Sequence, residues 1–183
     1  LVLPLIELAL PVLKSQRQDA RDAFIADLGA LVEADRRVTL GEFVLLTFLR
    51  QHLRKGAGRA IATKYRALGD VREDARLVLS LVAHAARGAS DHAFAQGAHW
   101  LDLAADALVP LSEISLTPVS AALERLRVLA PLVKPRVLRA CVDAAADGGF
   151  TLAQAELLRA IAATLDCPVP PVLAALDPAK LAT

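Results

Sequence analysis

Apolar residues recur along this chain at three- and four-residue intervals with polar residues between them, the period of amphipathic helices rather than of strands. Pro4 to Lys14 reads as a short apolar helix, kinked or ended near Pro11, with Ser15 able to cap the next helix. From Gln16 to Ala34, Phe24, Leu28, Leu31 and Val32 form a core-facing stripe, while Arg17, Asp19, Arg21, Asp22 and Asp27 fill the other faces. Asp35 to Val38 is a turn. Thr39 then opens a helix to about Leu53, apolar through Phe43, Leu45, Leu46 and Leu49. Residues 55–70 carry Gly56, Gly58 and Gly69 and read as a flexible linker with one irregular helical turn around Ile61 to Tyr65.

A helix resumes from Val71 to Ala86, burying Leu77, Val78, Leu81, Val82 and Ala85, and stops at Arg87-Gly88-Ala89-Ser90. Asp91 to about Val109 reads as one helix, with Phe94, Leu101, Ala104, Ala105 and Leu108 inward and Pro110 as its end. Thr117 with Pro118 gives an N-cap and a first-turn proline for a helix reaching Pro131, and Lys134 to Ala146 comes next, burying Val137, Leu138, Cys141 and Val142. Thr151 to Leu165 is the last long helix. Asp166 to Pro171 stops it with three prolines, and residues after Asp177 are expected to fray.

Within this series one stretch occurs twice. Ala34-Asp35 through Leu45-Leu46 returns as Ala146-Asp147 through Leu157-Leu158, sharing Ala, Asp, Thr, Leu and the closing Leu-Leu without a gap. Each copy ends one helix at an acidic turn and starts another at a threonine, which makes a duplicated helix-turn-helix hairpin with repeat units at about 16–54 and 134–166. The expectation is an all-α bundle of about eight helices in a single domain over 1–183.

Composition agrees with close helix packing: the hydrophobic fraction is 55%, carried largely by Ala and Leu, and aromatics supply only 4%. Charges interrupt every apolar run within about ten residues, short of the roughly 20 that a spanning helix needs, so a soluble chain without a membrane span is expected. Glu7, Pro4 and Pro11 break the apolar opening and no basic segment precedes it, which argues against a signal peptide. A leucine start and the absence of methionine suggest a piece of a longer protein. Net charge is +1, and the local basic cluster from Arg50 and His52 through Arg54, Lys55 and Arg59 to Lys64 and Arg66 reads as a solvated helix end, not a nucleic-acid surface. Cys141 and Cys167 are isolated and suit a reducing compartment.

Two groups of residues could carry chemistry. Asp35 with Glu42, and Asp147 with Glu156, flank the two turns and could hold a hard cation through oxygen ligands. Thr39-x-x-Glu42 and Thr151-x-x-Gln154 are also capping boxes, which accept Glu and Gln equally, whereas a cation site loses a charged ligand at Gln154; the capping role is therefore preferred. His92, Gln96 and His99 fall on one face of a continuous helix, with Asp102 beyond, and could serve zinc or a helical enzyme only if a second element added ligands. His84 reads as a hydrogen-bonded core or boundary histidine. No His-Glu-x-x-His, Gly-rich phosphate loop or Gly-x-Ser-x-Gly occurs, so catalysis by this segment is not expected.

At the two Ala-Asp turns the chain resembles TerB-like helical domains of tellurite-resistance proteins, with their Asp-Gly-x-hydrophobic-x-x-x-Glu pattern; Asp147-Gly148-Gly149-Phe150 matches its start with Gln154 for Glu, and the first copy keeps Glu42 with Arg36 for Gly. More of it is similar to the C-terminal region of bacterial membrane-bound zinc metalloproteases of the HtpX or CAAX-prenyl-protease type. That similarity runs through Leu3 to Pro11, the hairpin around Asp35, Val78 to His84, and Ala146 to Leu158 with Asp166-Cys167-Pro168. The resemblance implies a non-catalytic accessory domain that docks protein partners or the parent protease domain, at the cytoplasmic face of the bacterial inner membrane. Catalytic zinc and the membrane helices would belong to the parent, with no cofactor in this segment. A cation-binding stress-response domain is the alternative that the TerB likeness implies.

Overall fold

The computed structural model describes residues 2–34, 39–54 and 61–174, and these are all-helical, with one isolated parallel bridge between Tyr65 and Leu129 in place of any strand. Within the span read as one domain, contacts cluster into two compact units, residues 1–60 and 61–183. Among the described residues no helix is long and apolar enough to cross a membrane.

The first unit has three helices, α1 (Val2–Ser15), α2 (Gln18–Glu33) and α3 (Leu40–Leu53). α3 is apolar on most of its circumference, and it contacts α1 and α2; its Phe43, Val44, Leu46, Phe48, Leu49 and Leu53 are buried together with Leu10 and Val32 from the flanking helices. α1 continues through Pro11 to Ser15, close to the Pro4–Lys14 span expected. Two expectations change here. The Ser15 hydroxyl donates backward to the Val12 carbonyl (2.7 Å) rather than capping α2. On α2, Gly29 and Val32 are buried and Ile25 and Leu28 are half-buried, while Phe24 and Leu31 are exposed instead of facing the core. The turn 35–38 lies outside the described residues.

The second unit begins with an extended segment. Lys64 and Tyr65 donate backbone N–H groups to the Val128 carbonyl, and Ala130 donates to Tyr65, so residues 61–66 run beside 128–130 where sequence periodicity suggested a linker with a helical turn. A 3-10 turn (Leu68–Val71) leads into α4 (Arg72–His84), which meets α5 (Ser90–Ala98), α6 (Leu116–Arg127) and α7 (Lys134–Ala145). α8 (Leu152–Leu165) packs on α6 and α7, and the four-residue α9 (Pro171–Ala174) closes the described chain. Ala75, Val78, Leu79, Val82 and Ala83 of α4 are fully enclosed, and Leu158, Ile161, Ala162 and Leu165 of α8 are buried as their spacing requires. Asp74 of α4 and Arg125 of α6 form a two-pronged ion pair across the helix crossing, which holds the arginine above its usual value through the hydrogen bond to Asp74.

The single helix expected over 91–109 is shorter. α5 ends at Ala98, residues His99–Leu101 make a 3-10 turn, and Asp102 takes a left-handed conformation (φ 53°) with the Leu103 N–H bonded back to Ala98. Three polar side chains spaced by four on α4 hold the returning loop: Arg76 donates to the Ala107 carbonyl, Ser80 accepts from the Val109 N–H (3.0 Å) and His84 donates to the Val109 carbonyl (2.8 Å). His84 is thus the hydrogen-bonded boundary residue expected. α6 starts one residue after Ser115, placing Thr117 and Pro118 inside the first turn instead of at the cap, and it ends at Arg127.

Close packing of α5 on α7 depends on a missing side chain. A Cβ at Gly97 would overlap the Ala140 carbonyl oxygen and sit 2.6 Å from Leu79 Cδ1. Gly97→Ala is therefore expected to destabilise the second unit by about 2 kcal/mol or more despite the better helix propensity of alanine, since rigid backbone must move; a neutral or stabilising effect in urea unfolding would contradict this packing. In the first unit, burial of His52 on α3, reinforced by Lys14 of α1, pushes its imidazole below the ordinary 6.5. The unfolded chain then takes up this proton first, so the contribution of His52 is present above pH 6.5 and is lost as pH falls through the lowered folded value. Thermal midpoints from pH 8 to 5 should fall less steeply for His52→Leu than for the wild type, and parallel curves would refute this assignment.

Candidate functional site

The two threonine-started helices use the same cap. Thr39 accepts from the Glu42 N–H (3.3 Å), and Glu42 Oε2 accepts from both the Thr39 N–H (2.7 Å) and its hydroxyl (2.8 Å). Thr151 accepts from the Gln154 N–H (3.1 Å) while Gln154 Oε1 accepts from the Thr151 N–H (2.6 Å). Both are reciprocal capping boxes, as their spacing indicated.

The second box does more. Gln154 is fully buried, and its Nε2 donates to the Ala85 carbonyl at the C-terminal end of α4 (2.9 Å). One amide thus satisfies an orphan N–H at the start of α8 and an orphan carbonyl at the end of α4, two groups that otherwise lack a helical partner. A carboxylate cannot donate. The replacement of Glu by Gln in the second copy therefore has a local physical cause, and it orients the amide unambiguously, oxygen toward Thr151 and nitrogen toward Ala85.

The turn between α7 and α8 is held by the same region. Gly148 (φ 75°) and Gly149 (φ 86°) are both left-handed, which glycine adopts at no steric cost, and a Cβ on Gly148 would press on Arg87 and Gly88. The Asp147 carboxylate occupies the space a side chain at Gly88 would fill, and it accepts from His92 Nδ1 (3.1 Å). Gln96 in turn approaches His92 Nε2 at 3.2 Å. If the Gln96 amide donates there, the neutral His92 ring carries its proton on Nδ1 and gives it to Asp147.

Of the residues singled out for cation binding, Asp35 lies outside the described residues, Glu42 serves its cap, Asp147 joins His92, and Glu156 is buried in α8. No group of three or more His, Cys, Asp or Glu side chains among the described residues is placed to hold a metal ion. The expected face of His92, Gln96, His99 and Asp102 is divided because α5 stops: His92 and Gln96 stay together, His99 stacks beside Trp100 (4.9 Å) and Asp102 pairs with Arg136 (3.1 Å).

Sequence reasoning missed a cluster and a cleft next to these residues. Trp100 Nε1–H donates to Asp143 (2.7 Å), Arg139 pairs with the same carboxylate (3.0 Å) and lies over the indole (5.6 Å to its centre), and Arg136 donates to the Trp100 carbonyl (2.8 Å). The i, i+4 pair Arg139 and Asp143 was the available signal. Beyond Arg139, a cleft of about 570 Å³ is bounded by Pro135, Leu138 and Val142 of α7 on one side and by Cys167 through Val172 on the other. The prolines that stop α8 are its wall, which helix-stop signals alone do not disclose. Burial raises the Cys167 thiol, opposed by Lys134, and burial pushes Cys141 up to about 12.

The chain matches no protein-family model, no curated protein and no solved structure.

Gln154→Glu places a carboxylate against the Ala85 carbonyl and should cost about 3 kcal/mol at neutral pH; burial raises the new acid, so part of the loss is recovered as pH falls from neutral toward roughly 4, where the protonated acid can donate. Glu42→Gln keeps its cap and should cost less than about 1 kcal/mol. Equal losses for the two substitutions in denaturant titrations would disprove the double role of Gln154.

Proposed function

We propose that this chain is a non-catalytic, all-helical interaction module that serves a membrane-associated zinc metalloprotease, binding the protease domain or its substrates. The observation that carries the reading is the apolar surface of the first unit: Leu8 and Leu31 are 79% and 71% exposed, with Val12 and Phe24 also open on the same two helices. Leu8 and Val12 lie one turn apart on α1 and Phe24 and Leu31 two turns apart on α2, and exposed apolar side chains grouped on a helix face suit protein contact better than chemistry. The use of Glu42, Gln154 and Asp147 in caps and turn contacts supports the same reading, because the repeated turn then acts as scaffold. The link to a protease rests on the likeness of Leu3 to Pro11, the hairpin around Asp35, Val78 to His84, and Ala146 to Leu158 with Asp166-Cys167-Pro168.

The test is proteolysis by the full-length protein. Leu31→Asp changes an exposed side chain and should leave folding within about 0.5 kcal/mol of wild type. It is expected to reduce turnover of a folded protein substrate by about tenfold while hydrolysis of a short unstructured peptide changes less than about twofold. Equal loss on both substrates, or a full-length sequence without His-Glu-x-x-His between spanning helices, would overturn the proposal.

A further inference from the structure

The cleft between α7 and the proline-rich segment combines features that the caps and turns do not use. Its floor and walls are hydrocarbon: Leu138 and Val142 on one side, Pro168 to Val172 on the other. Its volume of about 570 Å³ falls within the roughly 300–1,000 Å³ of small-ligand sites. The far wall is fixed in place. The Cys167 N–H returns to the Ala162 carbonyl (2.9 Å), Leu173 is buried beneath the wall, and Arg159 donates to the Leu173 carbonyl (3.1 Å). Three prolines with locked φ remove most of the freedom by which the segment could fold inward to fill the space.

Arg139 is the one cationic residue in the lining of this cleft. Its Nε faces Asp143, whose Oδ2 also takes the Trp100 indole N–H, and its Nη groups make no hydrogen bond among the described residues. The other charges nearby are Lys134, whose field reaches Cys167, and Asp166. Asp166 is the left-handed residue that ends α8 and does not line the cleft, whereas Arg139 does. An apolar body with one anionic end matches this arrangement, since the tail leaves water and the head gains charge-assisted hydrogen bonds from the free edge of the guanidinium.

We propose that this cleft binds a small anionic amphiphile, an aliphatic chain carrying a carboxylate, with the chain between Leu138, Val142 and the proline wall and the carboxylate on Arg139 Nη. The site reports on itself. Trp100 is the only tryptophan of the chain and lies under Arg139, so a head group that engages the guanidinium alters indole emission. Cys167 lines the cleft while Cys141 is buried, so an occupant shields one thiol from a disulfide reagent and leaves the other inert as before.

The experiment titrates the intact chain with dodecanoate, dodecanol and dodecyltrimethylammonium, each below its micellar concentration, following Trp100 emission and the rate of Cys167 modification. The expected result is saturable dodecanoate binding that slows Cys167 modification, about tenfold tighter than dodecanol and tighter still than the ammonium compound. Arg139→Gln should bring dodecanoate to the dodecanol level in the thiol assay, which does not depend on the altered indole environment. Val172→Asp, at an exposed position of the wall, should weaken all chains by about tenfold or more with the fold intact. Absence of saturable binding, equal affinity for the three head groups, or dodecanoate binding indifferent to Arg139→Gln would each overturn the proposal.

Discussion

The second unit depends on a buried amide. Gln154 sits where α4 ends and α8 begins, and its two polar atoms answer the unsatisfied groups of both helix ends. Leaving either group unpaired in the interior would cost on the order of 1–3 kcal/mol, so one side chain supports two elements distant in sequence. The neighbouring turn is built on the same contact. Asp147 fits against Gly88, Gly148 and Gly149 supply the left-handed backbone, and His92 closes the contact from α5. The acidic motif that would otherwise invite a cation is thereby occupied with positioning helices.

A second constraint is the small residue at the helix crossing. Gly97 lets α5 approach α7 until backbone and side chain touch, and alanines at 93, 98, 140 and 144 are fully buried on the same two helices. Such an approach places Trp100 at the end of α5 within reach of Asp143 on α7. Arg139 on the same helix then covers the indole and borders the apolar cleft. Packing in the core thus determines where the convergent group of Trp100, Arg139 and Asp143 is found.

The helical class, both capping boxes, the burial of α7 and α8 and the bound state of His84 were legible in the sequence, because each depends on spacing within one element. What escaped depends on contacts between elements. Phe24 and Leu31 fit an apolar stripe by spacing, yet the half-buried Ile25 and Leu28 and the buried Gly29 share the inner face with Val32, a rotation that periodicity alone cannot decide in a helix rich in alanine. The helix expected to reach Val109 stops at Ala98 because Arg136, Asp143 and the polar face of α4 bind the next stretch of chain. The donor role of Gln154 needed Ala85, sixty-nine residues away, and the cleft needed the proline segment to lie beside α7.

The central claim is that the threonine-started turn of the second unit is held by a cap made of side chains, with no cation needed to order it. Hydrogen exchange of the Thr151 N–H tests it most directly. Bonded to the Gln154 side chain, this amide should be protected in the metal-free protein, and millimolar calcium, magnesium or zinc should leave its exchange unchanged. An amide that exchanges as in an unfolded chain and becomes protected only when a divalent cation is added would contradict the account.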